Sequence, residues 1–189
     1  DAGGQQNQGG EVAWQGRLEY DVLDPYGYLE SSPTPAQTPQ LSIGIAAAFN
    51  PVDEGSGFQN VRDGDRTTNV TIDGGFRYQG FTLQGAGYFR RNNHHYVSET
   101  GHDWGYYGQL GYYLTDKLEL AGRVSGVDFQ FANNTRTAGD HREYTGGFNY
   151  YLYGHNVKLQ VDYSFLDGDP FSAKSTSASR FRVQTQVLF

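Results

Sequence analysis

Residues 105–128 read GYYGQLGYYLTDKLELAGRVSGVD, and the fold turns on how that stretch is parsed. Tyr106, Gly108, Leu110, Tyr112 and Leu114 stand two apart, with Gly105, Tyr107, Gln109, Gly111 and Tyr113 between them. After Thr115-Asp116-Lys117 the same beat resumes. Leu118, Leu120, Gly122 and Val124 alternate with Glu119, Ala121, Arg123 and Ser125. A period of two is that of a β-strand, so the stretch predicts two strands joined by a tight turn. The alternation slips near Gly126, which predicts a β-bulge there.

Outward from this hairpin the theme repeats. Val12–Val22, Leu41–Phe49, Val70–Tyr78, Phe81–Arg90, Tyr144–Leu152, Val157–Phe165 and Arg180–Phe189 all alternate, which makes nine strands. Residues 78–80 and 154–156 are further tight turns, whereas 50–67, 91–103, 132–142 and 167–179 are long and polar. Short connections on one side and long ones on the other are the asymmetry of outer-membrane barrels. The Pro- and Ser-rich connection 23–39 breaks the rule, because parity puts it on the short side. Residues 1–10, DAGGQQNQGG, predict a flexible end, which leaves residues 11–189 as a single domain.

The composition fits such a fold. Aromatics make up 15% of the chain, with 15 Tyr and 12 Phe. The mean hydropathy of -0.66 says little, because alternating strands average out. No run approaches the roughly 20 apolar residues of a spanning helix. The absence of cysteine excludes disulfides and thiolate chemistry. A net charge of -7 argues against nucleic acid as a partner. No methionine stands at position 1 and no signal peptide is present, so the chain is expected to begin at a processed or truncated end.

A soluble sandwich also alternates, but its two inner faces carry aliphatics that interdigitate. Here Trp14, Tyr20, Tyr78, Trp104, Tyr112, Tyr144 and Tyr163 sit near strand ends on the apolar face, like the aromatic girdles of membrane barrels. The polar face carries Arg17, Arg77, Arg90, Arg123, Lys158, Arg180 and Arg182 against Glu19, Asp21, Asp73, Glu119 and Asp162. That is a mildly basic wall. These charges either bias ion passage or pair across strands and hydrate the wall. Phe189, a terminal aromatic on the last strand, fits a protein inserted into the outer membrane.

Other chemistry is thin. Residues 92–95 with His102 and Asp103 are metal-ligand types, but they lie in one stretch and read better as an exposed polar loop. Asp63-Gly64-Asp65 and Asp167-Gly168-Asp169 lack the further ligands of a calcium loop and read as turns. No nucleophile elbow, P-loop or zinc-protease motif occurs, so no enzyme and no cofactor are expected.

TPQLSIGIAAAFN (38–50), FRYQGFTLQGAGYFRR (76–91), the hairpin at 105–128, GGFNYYLYGHNVKLQVDYSFL (146–166) and RFRVQTQVLF (180–189) resemble the C-terminal half of the phosphate-selective porin O/P family. The resemblance covers most of residues 12–189 and is most specific at 154–166 and at the terminal segment. It implies a porin barrel of about sixteen strands, commonly trimeric, that passes anions. A complete bacterial barrel has an even number of strands and both ends periplasmic. With Phe189 periplasmic, nine strands put residue 12 on the other side. The chain is therefore expected to be the C-terminal part of a larger even-stranded barrel, with a nine-stranded barrel as the alternative.

The expectation is thus an all-β, antiparallel transmembrane barrel in a Gram-negative-type outer membrane, in contact with lipid. It would pass small anions or general solutes by passive diffusion, alone, as a homo-trimer or with other chains. The competing expectation is a structural or binding barrel that holds a partner protein, its lumen filled by Tyr88, Tyr107, Tyr113 and Tyr151 packing with Arg123 and Arg180.

Overall fold

The computed structural model describes residues 12–27, 35–52, 65–94, 99–130, 137–153, 156–168 and 176–187. Residues 1–10, Gly154, His155 and Phe189 lie outside these. Nine strands form: β1 (Trp14–Asp21), β2 (Gln40–Val52), β3 (Asp65–Tyr78), β4 (Phe81–His94), β5 (Glu99–Thr115), β6 (Leu118–Gln130), β7 (Thr137–Tyr153), β8 (Val157–Gly168) and β9 (Thr176–Val187). They lie in chain order in one sheet, each antiparallel to the next. No helix occurs among the described residues. Since directions alternate, β1 and β9 run the same way. Among the described residues they make no contact with each other, so the sheet is open, with β1 and β9 as its two free edges.

Directly opposed residues on antiparallel strands share a face, so the register fixes which side each residue occupies. Leu110 stands between Leu83 and Gly122, and Gln109 between Gln84 and Arg123. Followed across all eight pairings, the apolar and polar sets fall on opposite sides as the alternation predicts. Burial then separates the two faces in an unusual sense. The apolar side is open: Leu18 is 76% exposed, Ile72 62% and Phe181 68%. Apart from Gly126, the buried residues within the strands lie on the polar side, including Thr82, Tyr113, Tyr151, Glu119 (3%), Asp162 (3%) and Ser164 (0%). Among the described residues no second layer covers that side. Its side chains bury one another, as they do on the inner side of a curved sheet.

Aromatic residues bracket the open face. Tyr78, Phe81 and Tyr112 are register neighbours at the turn end of β3–β5. Toward the other end, Phe89 packs edge-on against Trp104, with ring centroids 5.0 Å apart.

Two expectations need correction. The polar connections are shorter than the sequence suggests, because β4 runs to His94 and β5 starts at Glu99, while β7 starts at Thr137 and β9 at Thr176. Toward these ends polar residues stand on both faces and the apolar alternation vanishes, yet the backbone ladder continues. There is also no bulge at Gly126, which pairs in register with Tyr106. The ladder shifts at Tyr113/Thr115, Asp128/Gln130 and Tyr151/Tyr153 instead. Gly126 lies under the Tyr106 ring on the apolar face, where an added Cβ would come within 2.8 Å of that ring. The apparent slip is an apolar residue, Val127, on the polar face opposite Gly105 and His141.

The β3–β4 turn is a two-residue turn in which Gln79 (φ 45°) and Gly80 (φ 84°) are both left-handed, as the twist of a hairpin favours. Gly80→Val is expected to cost about 1–2 kcal/mol, because a side chain at that φ is strained. Gln79→Asn, a residue that tolerates the left-handed region, is expected to leave stability unchanged or raise it slightly. Urea unfolding midpoints of the two variants check this.

Candidate functional site

All twelve charged residues singled out in the sequence stand on the polar face of the sheet. Their pairing is extensive. The Arg17 guanidinium donates both to Asp73 (2.5 and 2.7 Å) and to Glu19 (3.1 Å). It reaches from β1 across β2 to β3 because Gly44 lies in its path, where a Cβ would sit 2.5 Å from Arg17 Nη2. On the far side of the sheet Arg180 of β9 reaches Glu143 of β7 at 2.5 Å, passing the small Ser164 of β8. The arrangement is the same in both places: a long cation, a small residue on the middle strand, and a carboxylate two strands away. Arg182 meets Asp162 at 3.0 Å, and Arg90 meets Asp103 at 2.6 Å.

Asp103 and Glu143 fall outside the strands that the sequence predicts, but both stand on the polar face, within β5 and β7. Adding them to the five acids predicted for the wall balances its seven basic residues, so the charge count alone no longer favours anions. What matters is which charges remain uncompensated. Glu119 makes no ion pair among the described residues but accepts from Tyr151 Oη (2.7 Å) and Asn149 Nδ2 (2.9 Å), deep under side chains. Arg123 and Lys158 make no ion pair with any carboxylate among the described residues. Both line a cavity of about 390 Å³, together with Gln160, Asp162, Arg180 and Arg182.

The expected packing of tyrosines is only partly present. Tyr113 meets Tyr151 at 5.6 Å between centroids, and Tyr88 meets Tyr107 at 6.4 Å. Each pair lies along the wall. Arg123 stacks on Tyr107, and Arg180 turns instead to Glu143.

Tyr26 escaped the sequence reading. It belongs to the connection after β1, yet it is buried on the polar face, where Gly75 leaves room for its ring. The Arg77 guanidinium stacks 4.4 Å from the ring centroid and donates to the Tyr26 carbonyl at 3.2 Å. Gln84 donates to Tyr26 Oη at 2.7 Å. The only signal was Pro25-Tyr26-Gly27, an aromatic inside a turn-forming stretch that has no periodicity to show where it packs.

No group of three possible metal ligands occurs among the described residues. His102 and Asp103, one apart on β5, point to opposite faces. His102 stacks on Phe89 on the apolar side (5.7 Å), while Asp103 pairs with Arg90 on the polar one.

Comparison with protein-family models, with curated proteins and with solved structures yields no match.

Asp162 is almost fully buried and depends on Arg182 and Gln160 for its hydrogen bonds. Arg182→Leu is expected to lower stability by about 1–3 kcal/mol, because it strands a buried acceptor. Adding Asp162→Asn is expected to recover part of that loss, and unfolding of the single and double variants measures the coupling.

Proposed function

We propose that this chain is the wall of an outer-membrane pore through which small solutes, with a mild preference for anions, diffuse passively. One observation carries the reading: the sheet buries polar and charged side chains on one face and leaves its large apolar residues open on the other. In water that arrangement leaves a broad apolar surface uncovered. With lipid against the apolar face and water against the polar face, both faces are in suitable surroundings. The aromatic residues at both ends of the apolar face support the same reading, and so does the resemblance of the strands to the phosphate-selective porin O/P family.

The two free edges bear on closure. Pairing β1 directly with β9 would require a parallel ladder in an otherwise antiparallel sheet. An odd number of further strands would close it antiparallel throughout, giving the even count of bacterial barrels. The nine strands are on this view one arc of a larger barrel in a Gram-negative-type outer membrane, with the end of β9 that follows Val187 on the periplasmic side. Trimers fit the resemblance. The same free edges are what favours the second reading, a barrel that holds a partner chain.

The anion preference rests on Arg123 and Lys158, whose charges are not cancelled by a neighbouring carboxylate. In a channel with low-dielectric walls such charges raise the local concentration of the opposite ion. Arg123→Glu with Lys158→Glu is expected to move the reversal potential in a salt gradient toward cations in planar bilayers. A conducting pore whose reversal potential stays put overturns the assignment, and absence of conductance favours the partner-holding barrel. On the other face, Leu110→Arg or Val161→Arg is expected to cost about 2–4 kcal/mol at the bilayer midplane. Folding titrations in lipid vesicles check it, and variants that fold as well as the parent would place that face elsewhere.

A further inference from the structure

A cavity of about 670 Å³ on the polar face lies where the wall changes character. Tyr88, Tyr107, Val127 and Leu166 line it, so this part of an otherwise polar face is substantially apolar. Val127 and Leu166 are there in register, opposite Gly105 and Glu143. The Tyr88 and Tyr107 rings are stacked, 6.4 Å apart and 27° from parallel, and Tyr88 is 44% exposed. Arg123 lies over the Tyr107 ring at 4.6 Å from its centroid. Of the six arginines assigned to the wall, Arg123 makes neither an ion pair nor a hydrogen bond with a described residue. It lines this cavity as well as the neighbouring one, and Ser125 lies with it in both.

We propose that Tyr88, Tyr107, Arg123 and Val127 form a binding subsite for a small ring-bearing carboxylate, an anion with one flat apolar face. The carboxylate accepts both donors of the Arg123 fork, the geometry in which guanidinium binds most strongly. The ring lies against Tyr88 and the Val127–Leu166 wall, where burying apolar surface is favourable. A small, strongly hydrated anion such as phosphate fits less well, because it would shed water against apolar side chains, and of the two arginines that line the cavity Arg142 is already paired with Asp140. The further cations Lys158, Arg180 and Arg182 line the neighbouring cavity instead. A neutral sugar fits less well too, since Glu143, which lines the cavity with Asp167, is committed to Arg180 and Thr145.

The inference builds on the proposed pore only in taking this face as open to water, and its test does not need conduction. The protein, refolded in detergent micelles, is titrated by calorimetry with benzoate, acetate, inorganic phosphate and benzyl alcohol. Benzoate is expected to bind about tenfold more tightly than the other three, a margin that one bidentate pair or one buried ring supplies. Arg123→Gln is expected to abolish the advantage of benzoate over benzyl alcohol, and Tyr88→Leu to shrink its advantage over acetate. Lys158→Gln is expected to leave both unchanged. Tyr88→Leu sits at an exposed position and keeps the test decisive if the Arg123 variant does not refold. Equal binding of benzoate and acetate, or retention of the benzoate advantage over benzyl alcohol in Arg123→Gln, overturns the subsite. Benzoate binding without bilayer conductance sinks the pore and leaves the subsite standing. Conductance without benzoate preference does the reverse.

Discussion

Antiparallel pairing in continuous register is the constraint on which everything else here depends. Side chains alternate along a strand, and opposed residues share a side. Eight ladders therefore fix the face of every residue from β1 to β9 at once. A slip of one residue in any of them would exchange the faces of the strands beyond it. The shifts that do occur lie close to strand ends, at Tyr113/Thr115, Asp128/Gln130 and Tyr151/Tyr153, where they do not reverse the middle of the wall.

That constraint turns composition into architecture. Among the described residues the sheet has no apolar core of the ordinary kind, and lipid against the apolar face, as proposed, would make a partner layer unnecessary. Its cohesion on the other side comes from hydrogen bonds and ion pairs between side chains one and two strands apart. Small residues on the middle strands are part of that device. Gly44 lets Arg17 reach Asp73, Gly111 leaves room for Glu119, and Gly75 accepts the ring of Tyr26. Most wall charges are therefore structural. Arg123 and Lys158 make no ion pair with a carboxylate among the described residues, and Arg123 is the one beside aromatic surface.

The nine strands and their facing were legible because both follow from a period of two that is strong over residues 105–128 and repeated on either side. The strand ends were not, since polar residues on both faces remove the period while the ladder goes on. Asp103 and Glu143 were misassigned for that reason, and with them the charge balance of the wall. Val127 looked like a break in register because the reading assumed a uniformly polar wall; it marks the place where the wall is not polar. Tyr26 was invisible because its burial depends on Gly75, Arg77 and Gln84, which are about fifty residues or more away in the chain.

The central claim is that the apolar face meets lipid while the polar face meets water. The chain has no cysteine, so single cysteines can be placed along β5 and spin-labelled. Paramagnetic accessibility in bilayers then compares oxygen, which partitions into lipid, with a water-soluble nickel chelate. The account predicts high oxygen accessibility at positions 106, 110 and 112, high chelate accessibility at 107 and 109, and alternation between them. Equal accessibility at all positions, or alternation of the opposite phase, would contradict it.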